Sequence, residues 1–174
     1  GPSRFYVSVS KKVSNIDKEV LDLVEQMKKT LLVTREPKGV GLAAPQVGKS
    51  VRIFITKPWD KSPFTVFINP EITWSSEERT EGVPEREKKY EGCLSIPTIW
   101  GLVHRAKEVR LAYQTPDGKK HNRKFRGFMA TIIQHEMDHL NGTLFAQRVL
   151  EQKEKFYKLT KDEKGEDVFE EIEI

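Results

Sequence analysis

The sequence predicts a single-domain α+β fold in which antiparallel strands surround a central helix carrying an HExxH motif. Three observations lead there. Two segments place apolar residues at helical spacing, and the stretch between them holds short β-branched and aromatic runs. Short connections, "KPWDKSP" and "TPDG", pair neighbouring runs as antiparallel strands. The 174 residues give room for one core, and no repeat or linker divides them, so residues 1–174 read as one domain.

The first helical segment is "SNIDKEVLDLVEQMKKTLL", where Ile16, Val20, Leu23, Val24, Met27 and Leu31 share one face. Ser14 with Asp17 resembles a capping box, which starts an amphipathic helix over residues 15–33. Pro and Gly in "TREPKGVGLAAPQVGKS" end it in a loop or irregular strand. "VRIFIT" and "FTVFIN", separated by "KPWDKSP", read as paired strands. The charged, aperiodic "SSEERTEGVPEREKKY" reads as an exposed loop adding little to the core. "EGCLSIP" is a short strand, and "EVRLAYQ" and "KKHNRKFRG" flank "TPDG" as a hairpin. A second helix spans residues 127–140. Residues 151–174 form a polar tail whose alternating end, Val168 to Ile174, predicts an edge strand.

Composition narrows the function classes. Hydrophobic content of 37% with 32% charged residues suits a water-soluble globular protein, and no apolar run reaches membrane-spanning length. The net charge of +4 is spread through interleaved acids and bases, which argues against sequence-specific nucleic-acid binding. A single cysteine excludes an internal disulfide and fits a reducing compartment. The opening "GPS" reads as a protease-cleavage scar over residues 1–3. A bacterial cytoplasm is the expected location, or an organelle if a targeting segment stood upstream.

"IIQHEMDHLNG" carries the chemistry. Residues four apart on a helix rise about 6 Å and share a face, so His135 and His139 can direct nitrogens at one ion. Glu136, one step round, can reach a water on that ion without ligating it. Met129, Ile132, Ile133 and Leu140 make the same helix partly buried, so a purely structural reading of the motif exists. A catalytic ion usually takes a third protein ligand, and Cys93, His104 and His121 are the candidates. Cys93 follows Gly92 in a turn of small residues, where a thiolate can approach closely. On the helix, Phe128, Thr131 and Ile132 lie seven, four and three positions before His135, and they are candidate walls of an apolar pocket with Val40 facing them.

Three stretches together, "GVGLAAPQ" at 39–46, "EGCLS" at 91–95 and "QHEMDHLNG" at 134–142, resemble the signature motifs of the peptide deformylases, in order and in spacing. The resemblance covers residues 13–150. It implies an α+β fold and removal of the formyl group from N-formylmethionine of nascent chains. It also implies one divalent metal ion, Fe2+ first, with Ni2+, Co2+ or Zn2+ as substitutes. Carried over by position, it makes Cys93, His135 and His139 the ligands and Glu136 the general acid/base. The oxyanion donors become the side-chain amide of Gln46 and the backbone N–H of Leu94. Gly41, with Gly39, lets the backbone of the first motif come close to a substrate.

The chain departs from the family pattern in four places. The segment before the first helix is expected to be shorter than the family's usual one. The loop at 75–90 looks like an insertion. Trp100 stands where some bacterial members have an arginine, while Arg105 matches a second arginine nearby. Residues 162–174 hold seven acidic residues and one lysine, so any transient ribosome contact is not expected through this tail. Two other readings follow from the same motifs: a zinc peptidase, since HExxH also serves peptide cleavage, and a non-catalytic relative that only binds metal or peptide. Cys93 and Gln46 favour a small formyl group over a peptide carbonyl, and no catalytic position is damaged.

Overall fold

The computed structural model describes residues 9–34, 39–83, 90–93 and 96–173, with the backbone alone at Cys93 and at 96–98. Helix α1 (Lys18–Val33) starts at Asp17, whose carboxylate accepts a 3.1 Å hydrogen bond from the Val20 N–H. Asp17 is thus the N-cap itself, and the helix begins three residues later than the periodicity suggests. Ile16 and Ser14 lie before it. Its apolar face buries Val24, Met27 and Leu31, each worth about 1.5–3 kcal/mol of transfer free energy.

Strands β1 (Gly41–Ala43), β2 (Ile53–Thr56), β3 (Thr65–Ser75), β6 (Glu108–Gln114) and β7 (Lys120–Arg126) form one antiparallel sheet in the order β1-β2-β3-β6-β7. Between β1 and β2 the chain turns through a short 3-10 helix, Ala44–Val47. The run "IFI" in β2 is apolar throughout because both faces of the sheet are covered. Ile53 and Ile55 pack with Leu42, Val66 and Ile68 against α1. Phe54 and Phe67 point the other way, ring centroids 4.7 Å apart, toward helix α2 (Gly127–Leu140). There Ala130, Ile133, Met137 and Leu140 complete the main core with Val109, Leu111 and Tyr113.

A second antiparallel sheet has the order β4-β5-β8-β9, from β4 (Glu91–Cys93), β5 (Ile96–Gly101), β8 (Phe156–Lys161) and β9 (Asp167–Ile172). The polar tail is therefore a folded hairpin, and β9 is the edge strand that the alternation predicts. Polar composition hides the hairpin because one face of each strand is solvated. Helix α3 (Phe145–Glu151), which no sequence signal above marks, packs Phe145 and Val149 against Phe156 and Ile99 of this sheet. At seven residues it is too short for a clear period.

The charged loop after β3 also differs from expectation. Arg79 bridges Ala106, Thr80 is buried, and Val83 packs against Phe128 and Ile132. One apolar residue in a polar run carries no periodicity, so its burial is decided by tertiary contact alone. Residues 84–89 of that loop lie outside the described residues.

Candidate active site

Helix α2 carries both motif histidines and Glu136, and most of it is buried. It begins at Gly127, whose φ of 64° lets the chain leave β7 in a left-handed conformation that other residues rarely adopt. The sheet-facing residues Ala130, Ile133 and Met137 fix its rotation. His135 and His139 then share another face, ring centroids 5.1 Å apart at 65°. The ring of Phe145 stacks on His135 at 6.0 Å, so α3 backs the histidine pair.

Glu91, the first residue of β4, meets His135 from the second sheet. Its Oε1 lies 2.7 Å from His135 Nδ1, and the residue is 3% exposed. The same carboxylate takes two bonds from one guanidinium, Arg105 Nε to Oε2 at 3.0 Å and Nη2 to Oε1 at 2.9 Å. Burial pushes the Glu91 carboxyl up, but the charge of Arg105 and the bonds from His135 and Arg105 outweigh it and hold the pKa at about 2. An ionised carboxylate can only accept, so Nδ1 of His135 carries the proton and Nε2 is left as the basic nitrogen.

Arg105 is itself buried. Desolvation opposes its charge, yet Glu91 and Asp138 raise its pKa above the ordinary arginine value. Its Nη1 donates to Asp138 Oδ2 at 2.6 Å, and Asp138 also accepts from Arg148 Nε at 3.2 Å and Nη2 at 3.0 Å. A chain of alternating charge thus runs from α3 through α2 to β4 and ends on His135. Glu91 and Asp138 lie inside the second and third motifs, but the sequence alone assigns neither a role. For Glu91 a signal exists in the sequence: it opens the same short motif that carries Cys93.

Glu136 is 4% exposed on the side of α2 that meets β1. An added Cβ at Gly41 would stand 2.8 Å from Ile132 Cγ2 and 3.0 Å from Glu136 Oε1. Only glycine lets the β1 backbone lie this close to the helix. Gln46, in the 3-10 helix, accepts a 2.9 Å bond from the Ala43 N–H through Oε1, which makes its NH2 the donating end. Val40, Phe128, Ile132 and Val83 form one apolar cluster beside this region, and Thr131 is buried on the same helix with its hydroxyl 3.5 Å from the Gly127 carbonyl.

Of the three candidate third ligands, two are committed elsewhere. His104 has Nδ1 2.9 Å from the Thr80 carbonyl and Nε2 3.0 Å from Glu154. His121 sits in the β6–β7 hairpin, stacked on Tyr113 and 3.0 Å from the Thr115 hydroxyl. Cys93 ends β4, two residues beyond Glu91, with its backbone paired to Ile96. Its side chain, and Leu94 entirely, lie outside the described residues. Among the described residues no group of three His, Cys, Asp or Glu side chains forms a metal cage. The donor set still suits a divalent ion: two imidazoles on one face, one of them oriented by a buried carboxylate. Trp100 faces away from this site. It pairs with Gly92 and lies edge-on to Phe169 at 5.6 Å, on the sheet face opposite Glu91.

An α+β fold in which an HExxH helix packs on one antiparallel sheet and is met by a strand of a second is the arrangement expected of an HExxH-type hydrolase. The comparisons with known proteins then give the family. The sequence profile of the family described as polypeptide deformylase matches residues 2–155. A peptide deformylase of Mesorhizobium japonicum is 40% identical over 169 residues, 92% of this chain and 90% of that one. One from Pseudothermotoga lettingae is 40% identical over 136 residues, 78% of this chain and 72% of the relative. The crystal structure of peptide deformylase from Thermotoga maritima superposes with a TM-score of 0.71 at 35% identity, covering 81% of this chain and 88% of that one. The chain belongs to the peptide deformylase family: hydrolases, metal-dependent as a family, that remove the N-formyl group from nascent peptides. No described helix is long and apolar enough to cross a membrane.

Proposed function

We propose that this chain, as one catalytic domain, deformylates N-formylmethionyl peptides with an ion held by His135, His139 and Cys93. The observation that carries the proposal is the Glu91–His135 bond, since a buried carboxylate on the far nitrogen is how ligating histidines are commonly oriented. Ferrous iron is the first choice because the family resemblance implies it; one thiolate with two imidazoles also accepts nickel, cobalt or zinc. When bound, the ion supplies a Lewis acid and makes water a nucleophile near neutral pH.

The chain's own residues do the rest. Glu136 removes a proton from the attacking water and returns it to the leaving amine, so that formate and a free N-terminus are the products. The NH2 of Gln46 and the N–H of Leu94 donate to the oxygen on which negative charge develops. Gly41 keeps the β1 backbone close against α2, where that backbone can approach the substrate, and Val40, Phe128, Thr131 and Ile132 receive the methionine side chain. The setting is a bacterial cytoplasm, with any ribosome contact made by a surface other than the acidic tail. A zinc-peptidase reading gains no support from these contacts.

Anaerobic purification with metal analysis, followed by formate release from formyl-Met-Ala-Ser, tests this directly. Iron bound in proportion to activity is expected. Formate release by fully metal-depleted protein would overturn the proposal.

A further inference from the structure

The apolar cluster beside Glu136 has a neighbour that belongs to none of the three motifs. Trp59, on the loop between β2 and β3, is 56% exposed, and its ring stands 5.2 Å from that of Phe128 at 41°. Phe128 itself is only 8% exposed. The loop that carries Trp59 is braced from within. Lys57 Nζ donates to the carbonyls of Trp59 at 3.3 Å, Asp60 at 2.6 Å and Ser62 at 2.6 Å. The Trp59 N–H donates to Ser62 Oγ at 3.1 Å, and the Ser62 N–H returns to the Trp59 carbonyl at 3.0 Å. The Lys57 N–H donates to the Val40 carbonyl at 2.7 Å. One braced turn therefore fastens to Val40, next to β1, and lays its indole on Phe128 of α2.

We infer that Trp59 is a specificity-determining residue, the outer wall of the pocket that receives the first side chain of the substrate. The inference rests on the pocket reading above and extends it by naming the solvent-side wall. A half-exposed indole has apolar surface left to lose, and a long flexible thioether gains from an aromatic edge as a short side chain does not. Bracing by Lys57 means that little ordering of the loop is needed when the substrate arrives. A contact made equally in the ground state and the transition state acts on KM and leaves kcat alone.

The test uses the metal-loaded full chain with Trp59→Ala and Trp59→Phe, assayed on formyl-Met-Ala-Ser and formyl-Gly-Ala-Ser. Trp59→Ala is expected to lower kcat/KM for the methionine substrate about tenfold, through KM, and to leave the glycine substrate within about twofold. Trp59→Phe should recover most of the loss. Tryptophan emission gives a second readout: adding the product Met-Ala-Ser should shift it in the wild-type chain and not in Trp59→Phe. Equal losses on both substrates, or no loss on either, overturn the inference, as does an emission shift that survives in Trp59→Phe. A wild-type chain that fails to distinguish formyl-Met from formyl-Gly contradicts the pocket reading itself, which keeps the two failures apart.

Discussion

Glu91 and His135 are joined across two elements, a strand of the second sheet and the central helix, by a bond of 2.7 Å. The carboxylate is simultaneously bidentate to Arg105 and held at a pKa of about 2. Replacing it should act twice. Glu91→Ala removes two of the bonds to the buried Arg105 guanidinium, leaving it Asp138 alone, and should cost about 3–5 kcal/mol of unfolding free energy. Glu91→Gln keeps the volume but weakens the hold on the imidazole, and metal affinity should fall about 10–100-fold. Denaturant titration and competition with a chelator measure the two effects. Unchanged metal affinity in a folded Glu91→Gln chain would mean that the contact does not orient the ring.

Gly41→Ala is expected to slow the reaction more than it loosens the fold. The new methyl would press on Ile132 Cγ2 and Glu136 Oε1, at 2.8 and 3.0 Å. Overpacking of this kind costs about 1–3 kcal/mol. The displaced carboxylate should show as a fall in kcat with stability reduced only by that amount. A folded variant with wild-type kcat would separate Glu136 from the proton transfers.

The tail supports the site through α3. Phe156 of β8 packs on Phe145, and Phe145 stacks on His135. Phe156→Ala should destabilise the chain by about 3–5 kcal/mol. Weaker metal retention should accompany it, because the backing of His135 loosens. Chemical denaturation and metal titration on the same sample check both, and a loss of stability with metal binding intact would confine Phe156 to structure.

His104 should make the attachment of the tail pH-dependent. The bond to Glu154 raises its pKa first, with the Thr80 carbonyl and the charges of Glu154 and Glu81 adding to it against partial burial. A raised folded pKa means stabilisation that is fully present below the unfolded value of about 6.5 and is lost as pH rises through the folded value. Amide exchange in the loop at 80–83 and in residues 152–156, corrected for the intrinsic rate, should therefore speed up on the alkaline side. His104→Ala should abolish that dependence; a profile unchanged by the substitution would place the titration elsewhere.

How far the amino-acid sequence discloses the fold differs by element. α2, the β2–β3 pair and the β6–β7 hairpin follow from periodicity and turn chemistry, because each buries a continuous face or closes through a short turn. α3 and β8 are not legible there, since seven and six residues with half their surface in water carry little pattern. Val83 is hidden for the same reason. At the site, the histidine pair is written in one helix and reads directly. The alternating charges that orient it come from separate elements: Glu91 and Arg105 stand more than thirty residues before Asp138 and Arg148, and only the fold brings them together. Trp59 is concealed in the same way, on a loop whose relation to Phe128 is purely tertiary.

In the proposed division of labour within the HExxH helix, His135 and His139 hold the ion and Glu136 moves the proton. The measurement that tests it is metal content and formate release on the same preparation of Glu136→Gln, with formyl-Met-Ala-Ser as substrate. Wild-type metal content with kcat reduced about 10²–10⁴-fold is the expected result. Metal lost together with activity would put Glu136 in the coordination shell, and wild-type formate release would remove it from the reaction; either outcome contradicts the account.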